Sequence, residues 1–168
     1  MLEVTQRGRT NRFYLFGGKD EGASAMIQGI TLAGILLDEV ALMTRPGAAS
    51  RRAEGRAVAT VLRKYRPLLA IEAPGTLDGG DVMRIGKRIF VGQSARSNAS
   101  AVDQLQALLA PHGYRVESVP MRDCLHLKSA VTAVSDDTLL INPQWVSATA
   151  FADFKLIEID PAEPHAAN

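Results

Sequence analysis

Three short segments of this 168-residue chain carry groups that could do acid–base or anion-binding chemistry. Leu77-Asp78-Gly79-Gly80-Asp81-Val82 sets two carboxylates around paired glycines. Glycines let the backbone turn tightly and let a ligand come close, so Asp78 and Asp81 could converge on a pocket at the entrance to a strand. The same letters also fit a plain Asp-Gly hairpin turn with solvated carboxylates. Leu125-His126-Leu127-Lys128 reads as a strand with the leucines on one face and His126 on the other. An imidazole so placed suits general acid–base work, and a structural histidine fits equally. Gly92-Gln93-Ser94-Ala95-Arg96-Ser97-Asn98 holds Arg96 in a turn before a helix, where an arginine could grip a carboxylate or simply face water. His112 lies in a Pro-His-Gly turn and His165 in the polar final segment, and neither has such a setting.

The elements that must position these groups recur. Ile35-Leu36-Leu37 and Val40-Ala41-Leu42-Met43 are strand-like, and Arg45-Pro46-Gly47 is a turn. Ser50 is the expected cap of a helix near 50–65, and Leu68-Leu69-Ala70-Ile71 is a buried-type strand. The order returns with Val82–Ile85, Ile89–Val91, a helix near 97–110 capped by Ser97 or Asn98, and a strand over Tyr114–Val119. It returns again with Ala130–Val134, Thr138–Ile141, a short helix near 146–152 and Lys155–Ile159. Three strand–strand–helix–strand units at a period of about 45–50 residues predict an incomplete α/β propeller over residues 35–168, whose units complete one another's cores. Residues 1–34 form a divergent N-terminal segment in which Arg7–Arg12 is polar and Gly17–Gly22 loop-like. Gly17-Gly18-Lys19 lacks the frame of a phosphate-binding loop.

Composition narrows the function classes. A net charge of +1 gives no electrostatic case for nucleic acid or a membrane surface. The densest basic cluster, Arg51, Arg52 and Arg56, reads as a solvated helix face. Cys124 is the single cysteine, so no intrachain disulfide forms and a cytoplasmic location is expected. Cys124 itself reads as a small, buried, inert residue.

Taken together, Arg45–Arg52, Leu77–Val82, Gly92–Asn98 and Leu125–Ala130 resemble, in order and spacing, the dimethylarginine dimethylaminohydrolases among the guanidine-modifying enzymes. The resemblance implies a fivefold pseudosymmetric propeller and a covalent hydrolysis of methylated arginine to citrulline and dimethylamine, without metal or other cofactor. It implies that His126 is the acid–base, that Asp78 orients it, and that Arg51 and Arg96 hold the α-carboxylate of a small arginine-like substrate. Lys128 stands where arginine deiminases carry aspartate, which favours the dimethylarginine branch over a deiminase or amidinotransferase. A non-catalytic module binding arginine-like amino acids is the other alternative. The family's nucleophilic cysteine has no counterpart in this chain, and its guanidinium-gripping acids are replaced by Met26-Ile27-Gln28-Gly29-Ile30-Thr31. The expectation is a chain inactive alone that self-associates through open propeller edges.

Overall fold

A computed structural model describes residues 2–6, 9–13 and 34–168 other than 38 and 65. Strands β1 (Leu2–Gln6) and β2 (Arg9–Phe13) pair antiparallel. The polar residues Arg9–Arg12 thus lie in β2, an element that the polar pattern did not suggest. Gly17–Gly22 and Met26–Thr31 lie outside the described residues.

The three units share one topology. In the first, β3 (Gly34–Leu36) pairs antiparallel with β4 (Ala41–Met43), which pairs parallel with β5 (Leu68–Ala70). The second repeats this with β6 (Val82–Ile85), β7 (Arg88–Gln93) and β8 (Arg115–Pro120). The third uses β9 (Val131–Ala133), β10 (Thr138–Ile141) and β11 (Lys155–Glu158). In each unit a hairpin precedes a helical crossover, because a parallel third strand cannot be reached by a tight turn.

Local chemistry explains the joints. Gly86 turns the β6–β7 hairpin at φ +56°, where a side chain would be strained. Helix α2 (Ala99–Leu109) starts at Asn98, whose side chain accepts the Ala101 N–H at 3.1 Å. Ala101, Leu105 and Leu109 recur every fourth residue and are fully buried, so this face packs inward. The first crossover departs from expectation. Ser50 caps nothing: a 3-10 segment, Ala49–Glu54, follows Ala48 without a side-chain cap, and α1 (Gly55–Leu62) continues it. The third crossover is a single 3-10 turn, Ala148–Phe151.

Alternation along the strands splits the core between neighbours. In β4, Ala41 and Met43 pack with Leu62 of α1, while Leu42 joins Leu105 and Leu109 of the next unit's α2. In β7, Ile89 and Val91 meet that same helix, while Phe90 faces the third unit and its ring lies 5.2 Å from that of Phe151. Each such large apolar side chain contributes about 1.5–3 kcal/mol by leaving water. The second unit is therefore held on both faces. Arg88 straps it further to the third, bonded to Glu117 at 2.7 and 3.0 Å and to Asp153 at 3.1 Å.

Candidate active site

The connections between units, not their strands, carry the chemistry-bearing residues. Asp78 and Asp81 end the connection from β5 to β6, and His126 lies in the connection from β8 to β9. Arg51 and Arg96 occupy matching places in the first and second units, between the middle strand and the crossover helix. All four connections gather at one end of the sheets.

Leu77–Val82 is neither a hairpin nor solvated. Gly79–Asp81 forms one 3-10 turn closed by the Asp81 N–H on the Asp78 carbonyl at 2.9 Å. Both carboxylates are buried, at 2% exposure for Asp78 and 0% for Asp81. Asp78 Oδ1 accepts the Gly47 N–H at 3.0 Å, and Asp78 Oδ2 lies 3.5 Å from Arg51 Nη1 and 3.4 Å from His126 Nε2. One buried acid thus meets both an imidazole and a guanidinium, which spares it the cost of an unpaired buried charge.

His126 is not on a strand. It precedes a one-turn helix, α3 (Leu127–Ala130), with extended backbone angles of −139° and 150°. Leu127 is fully buried and Leu125 is 56% exposed, so the two leucines do not share a face. The Leu127 N–H is held by Asp81, 46 residues earlier, and that long-range bond overrides the local alternation. The outcome for the imidazole still matches the expected pairing, because His126 and Asp78 meet. Gly80 is packed against the ring: a Cβ there would lie 2.7 Å from His126 Cγ and Cδ2.

Arg51 sits partly covered against Asp78 rather than on a solvated face, while Arg52 is exposed and donates to the Pro46 carbonyl at 3.2 Å. The Arg96 loop closes on the first unit, since a Cβ on Gly47 would come within 2.7 Å of the Arg96 carbonyl oxygen. The Arg96 guanidinium makes no hydrogen bond or ion pair with another described residue, and its side chain is half-buried.

Asp81 was visible in the sequence, but its partners were not. Its Oδ2 accepts the hydroxyls of Ser94 at 2.7 Å and Ser97 at 2.6 Å, and its Oδ1 accepts the Leu127 N–H at 3.0 Å. Burial raises its pKa, and the three donors pull the other way. Lys128, next in α3, is pulled down by burial and pushed back up by the Asp81 charge. Burial, then the charges of Asp81 and Asp123, hold the Cys124 thiol in its protonated form, and the residue packs at the edge of the second apolar cluster. The His165 ring lies 5.1 Å from that of Trp145, tilted by 55°, and the His112 carbonyl accepts from Lys87 at 3.2 Å. Among the described residues no three metal-capable side chains cluster, and no helix is long and apolar enough to cross a membrane. A shallow depression of about 450 Å³, lined by Lys87, Arg88, Asp136 and Asp153, lies at the opposite end of β6 and β7, away from His126.

The arrangement can hold an imidazole in one tautomer. With Nε2–H donating to Asp78, Nδ1 is left to take or give a proton.

A family model described as arginine deiminase matches residues 67–166. The chain is 39% identical over 130 residues to the N(G),N(G)-dimethylarginine dimethylaminohydrolase of Pseudomonas aeruginosa, covering 76% of this chain and 51% of that protein. It is 50% identical over 107 residues to the protein of the same name from Streptomyces coelicolor, covering 63% and 42%. A solved structure of the Pseudomonas aeruginosa protein, a Cys-to-Ser mutant complexed with citrulline, superposes with a TM-score of 0.76 at 37% identity. That match covers 81% of this chain and 54% of the other. The chain spans about half the length of the curated relatives it matches.

Proposed function

The chain belongs to the arginine deiminase family, within the superfamily that holds the dimethylarginine dimethylaminohydrolases, and from that premise we propose that it forms the acid–base and carboxylate-binding part of a methylarginine hydrolase. The observation that carries this reading is the contact of His126 with buried Asp78, flanked by Arg51. A thiolate would attack the guanidinium carbon of dimethylarginine. His126 would deliver a proton to the departing dimethylamine nitrogen as the C–N bond breaks, leaving an S-alkylthiouronium. His126 would then take a proton from water as its oxygen attacks the same carbon, and C–S cleavage would return the thiolate and release citrulline. Asp78 holds the ring and offsets the charge it acquires. Arg51 and Arg96, at matching places in adjacent units, would receive the substrate α-carboxylate. Cys124 does not fit the nucleophile, because burial and two nearby carboxylates work against its thiolate. In this proposal the thiolate would be supplied from outside residues 1–168.

The test is citrulline release from dimethylarginine, with arginine as the competing substrate. We expect none from residues 1–168 alone, and turnover when the chain is joined to the unmatched half of the Pseudomonas aeruginosa relative, the protein whose Cys-to-Ser mutant was solved with citrulline. His126→Ala in the joined protein should abolish turnover. Equal turnover with and without His126 would overturn the proposal, as would a preference for arginine for its substrate assignment.

A further inference from the structure

Asp78 is not the only acid of its turn to act on His126. The 3-10 turn Gly79–Asp81 ends on a second buried carboxylate, and the two acids reach the same histidine segment by different routes. Asp78 Oδ2 lies 3.4 Å from the ring at Nε2, whereas Asp81 Oδ1 holds the main chain one residue on, at the Leu127 N–H, 3.0 Å away. Between them Gly80 lies against the ring, so a single four-residue turn touches His126 or its neighbour at three places.

We propose that Asp81 is a positioning residue: by holding the Leu127 N–H it fixes the direction from which the His126 ring meets Asp78. This rests on the acid–base role assigned to His126 above. Two anchors define an orientation where one would allow the ring to swing. The spacing of the anchors is itself fixed, because the Asp81 N–H closes on the Asp78 carbonyl at 2.9 Å. Asp81 in turn is fixed by Ser94 and Ser97, whose hydroxyls lie 2.7 and 2.6 Å from its Oδ2. Those serines serve the rest of the site as well. Ser97 Oγ accepts the Asp78 N–H at 3.0 Å, and Ser94 Oγ accepts the Arg96 N–H at 3.0 Å. Asp81 therefore joins the acid, the histidine segment and the Arg96 loop through one carboxylate. Two hydroxyl donors and one amide donor converge on it, a demand that an acceptor-only group meets in full. The neighbouring backbone leaves it room, since a Cβ on Gly92 would come 3.4 Å from Asp81 Oδ1 and only 2.8 Å from Leu127 Cβ.

The experiment uses the 168-residue chain and the long-range proton–nitrogen spectrum of its neutral histidine rings, with His126 assigned by His126→Ala. In the parent, His126 should show the Nε2-protonated tautomer. Asp81→Ala should replace this with a tautomer-averaged pattern. Asp81→Asn should keep it, because one amide oxygen remains for Leu127 while the Ser97 hydroxyl, which accepts only the Asp78 N–H, turns to accept the amide N–H. Ser94→Ala removes a bond to Asp81 without touching Leu127 and should lower the melting temperature but leave the ring pattern intact. If Asp81→Ala does not fold, Leu127→Pro removes the same N–H at a helix position that tolerates proline, and should average the tautomer likewise. An unchanged ring pattern in folded Asp81→Ala or Leu127→Pro overturns the proposal, as does a Ser94→Ala effect as large as that of Asp81→Ala. The readout needs no turnover. A ring pattern that depends on Asp81 in a joined protein that releases no citrulline would refute the hydrolase reading and leave the positioning role standing.

Discussion

Gly80→Ala separates fold from chemistry at this site. The residue is buried and outside the left-handed region, so its backbone accepts alanine without strain. Losing glycine's freedom in the unfolded chain should favour the folded state by about 0.4–1 kcal/mol. The methyl group would lie 2.7 Å from His126 Cγ and Cδ2, and 3.1 Å from Nδ1. Carbon pairs rest at about 3.5–4.0 Å. The ring must therefore retreat by about 1 Å, and because Cγ is bonded directly to Cβ the shift must come from turning the whole side chain about Cα–Cβ. Its contact with Asp78 is already 3.4 Å and would pass beyond hydrogen-bonding range. A displacement of this size costs about 10²-fold in rate when the displaced group does the chemistry. We expect the melting temperature of Gly80→Ala to fall by no more than about 8 °C, since an overpacking cost of about 1–3 kcal/mol is partly offset by that gain from losing glycine's freedom. Citrulline release by the joined protein should fall about a hundredfold. Parental turnover with an unchanged melting temperature would refute the reasoning, because the ring would then have moved without consequence.

Four further outcomes follow from the same structure. Cys124 should react with a disulfide reagent at pH 7 more slowly than a free thiol, and Cys124→Ser should leave citrulline release by the joined protein unchanged, since its thiol is held protonated. Arg88→Met should cost about 1–2 kcal/mol in denaturant melts by breaking the strap to Glu117 and Asp153. Arg88 holds the Glu117 carboxyl below its usual value of 4.5, so the strap's contribution is full above that value and fades as pH falls through the lowered one. The difference between Glu117→Gln and the parent should therefore be flat above pH ~5 and shrink in acid. Thr132, Leu140 and Ile157 share the third sheet's other face, by register and alternation, and Ile157 is 49% exposed. Sedimentation should show self-association of the chain that Leu140→Glu with Ile157→Lys reduces, and a parent monomeric at high concentration would contradict this.

The repeating order of strands and helices was legible because apolar periodicity and turn residues are local. Gly86, Asn98 and the spacing of Ala101, Leu105 and Leu109 do in the structure what their types suggest. The pairing of Asp78 with His126 was legible only through the resemblance, since 48 residues separate them. What failed was local pattern under long-range control. Leu-His-Leu mimics a strand, but the Asp81 carboxylate captures the Leu127 N–H and turns the chain into α3. Asp81 looked no different from Asp78 because its three donors come from two distant segments. The β1–β2 pair was overlooked because its strands are polar, although Leu2, Val4 and Phe13 occupy alternate registers of the kind a hairpin shows.

Two of the three apolar clusters are each shared between adjacent units, the third lies within the first unit, and only the middle unit belongs to both shared clusters. Stability in such a stack is a sum over neighbours, and opening begins at the ends. Amide exchange should accordingly be slowest along β7, whose Ile89, Phe90 and Val91 anchor both clusters, and fastest in β5 and β11. Asp78 enters the middle unit and His126 leaves it. The acid and the imidazole are thus tied to the last part of the molecule to open, so their contact should outlast the fraying of either flank.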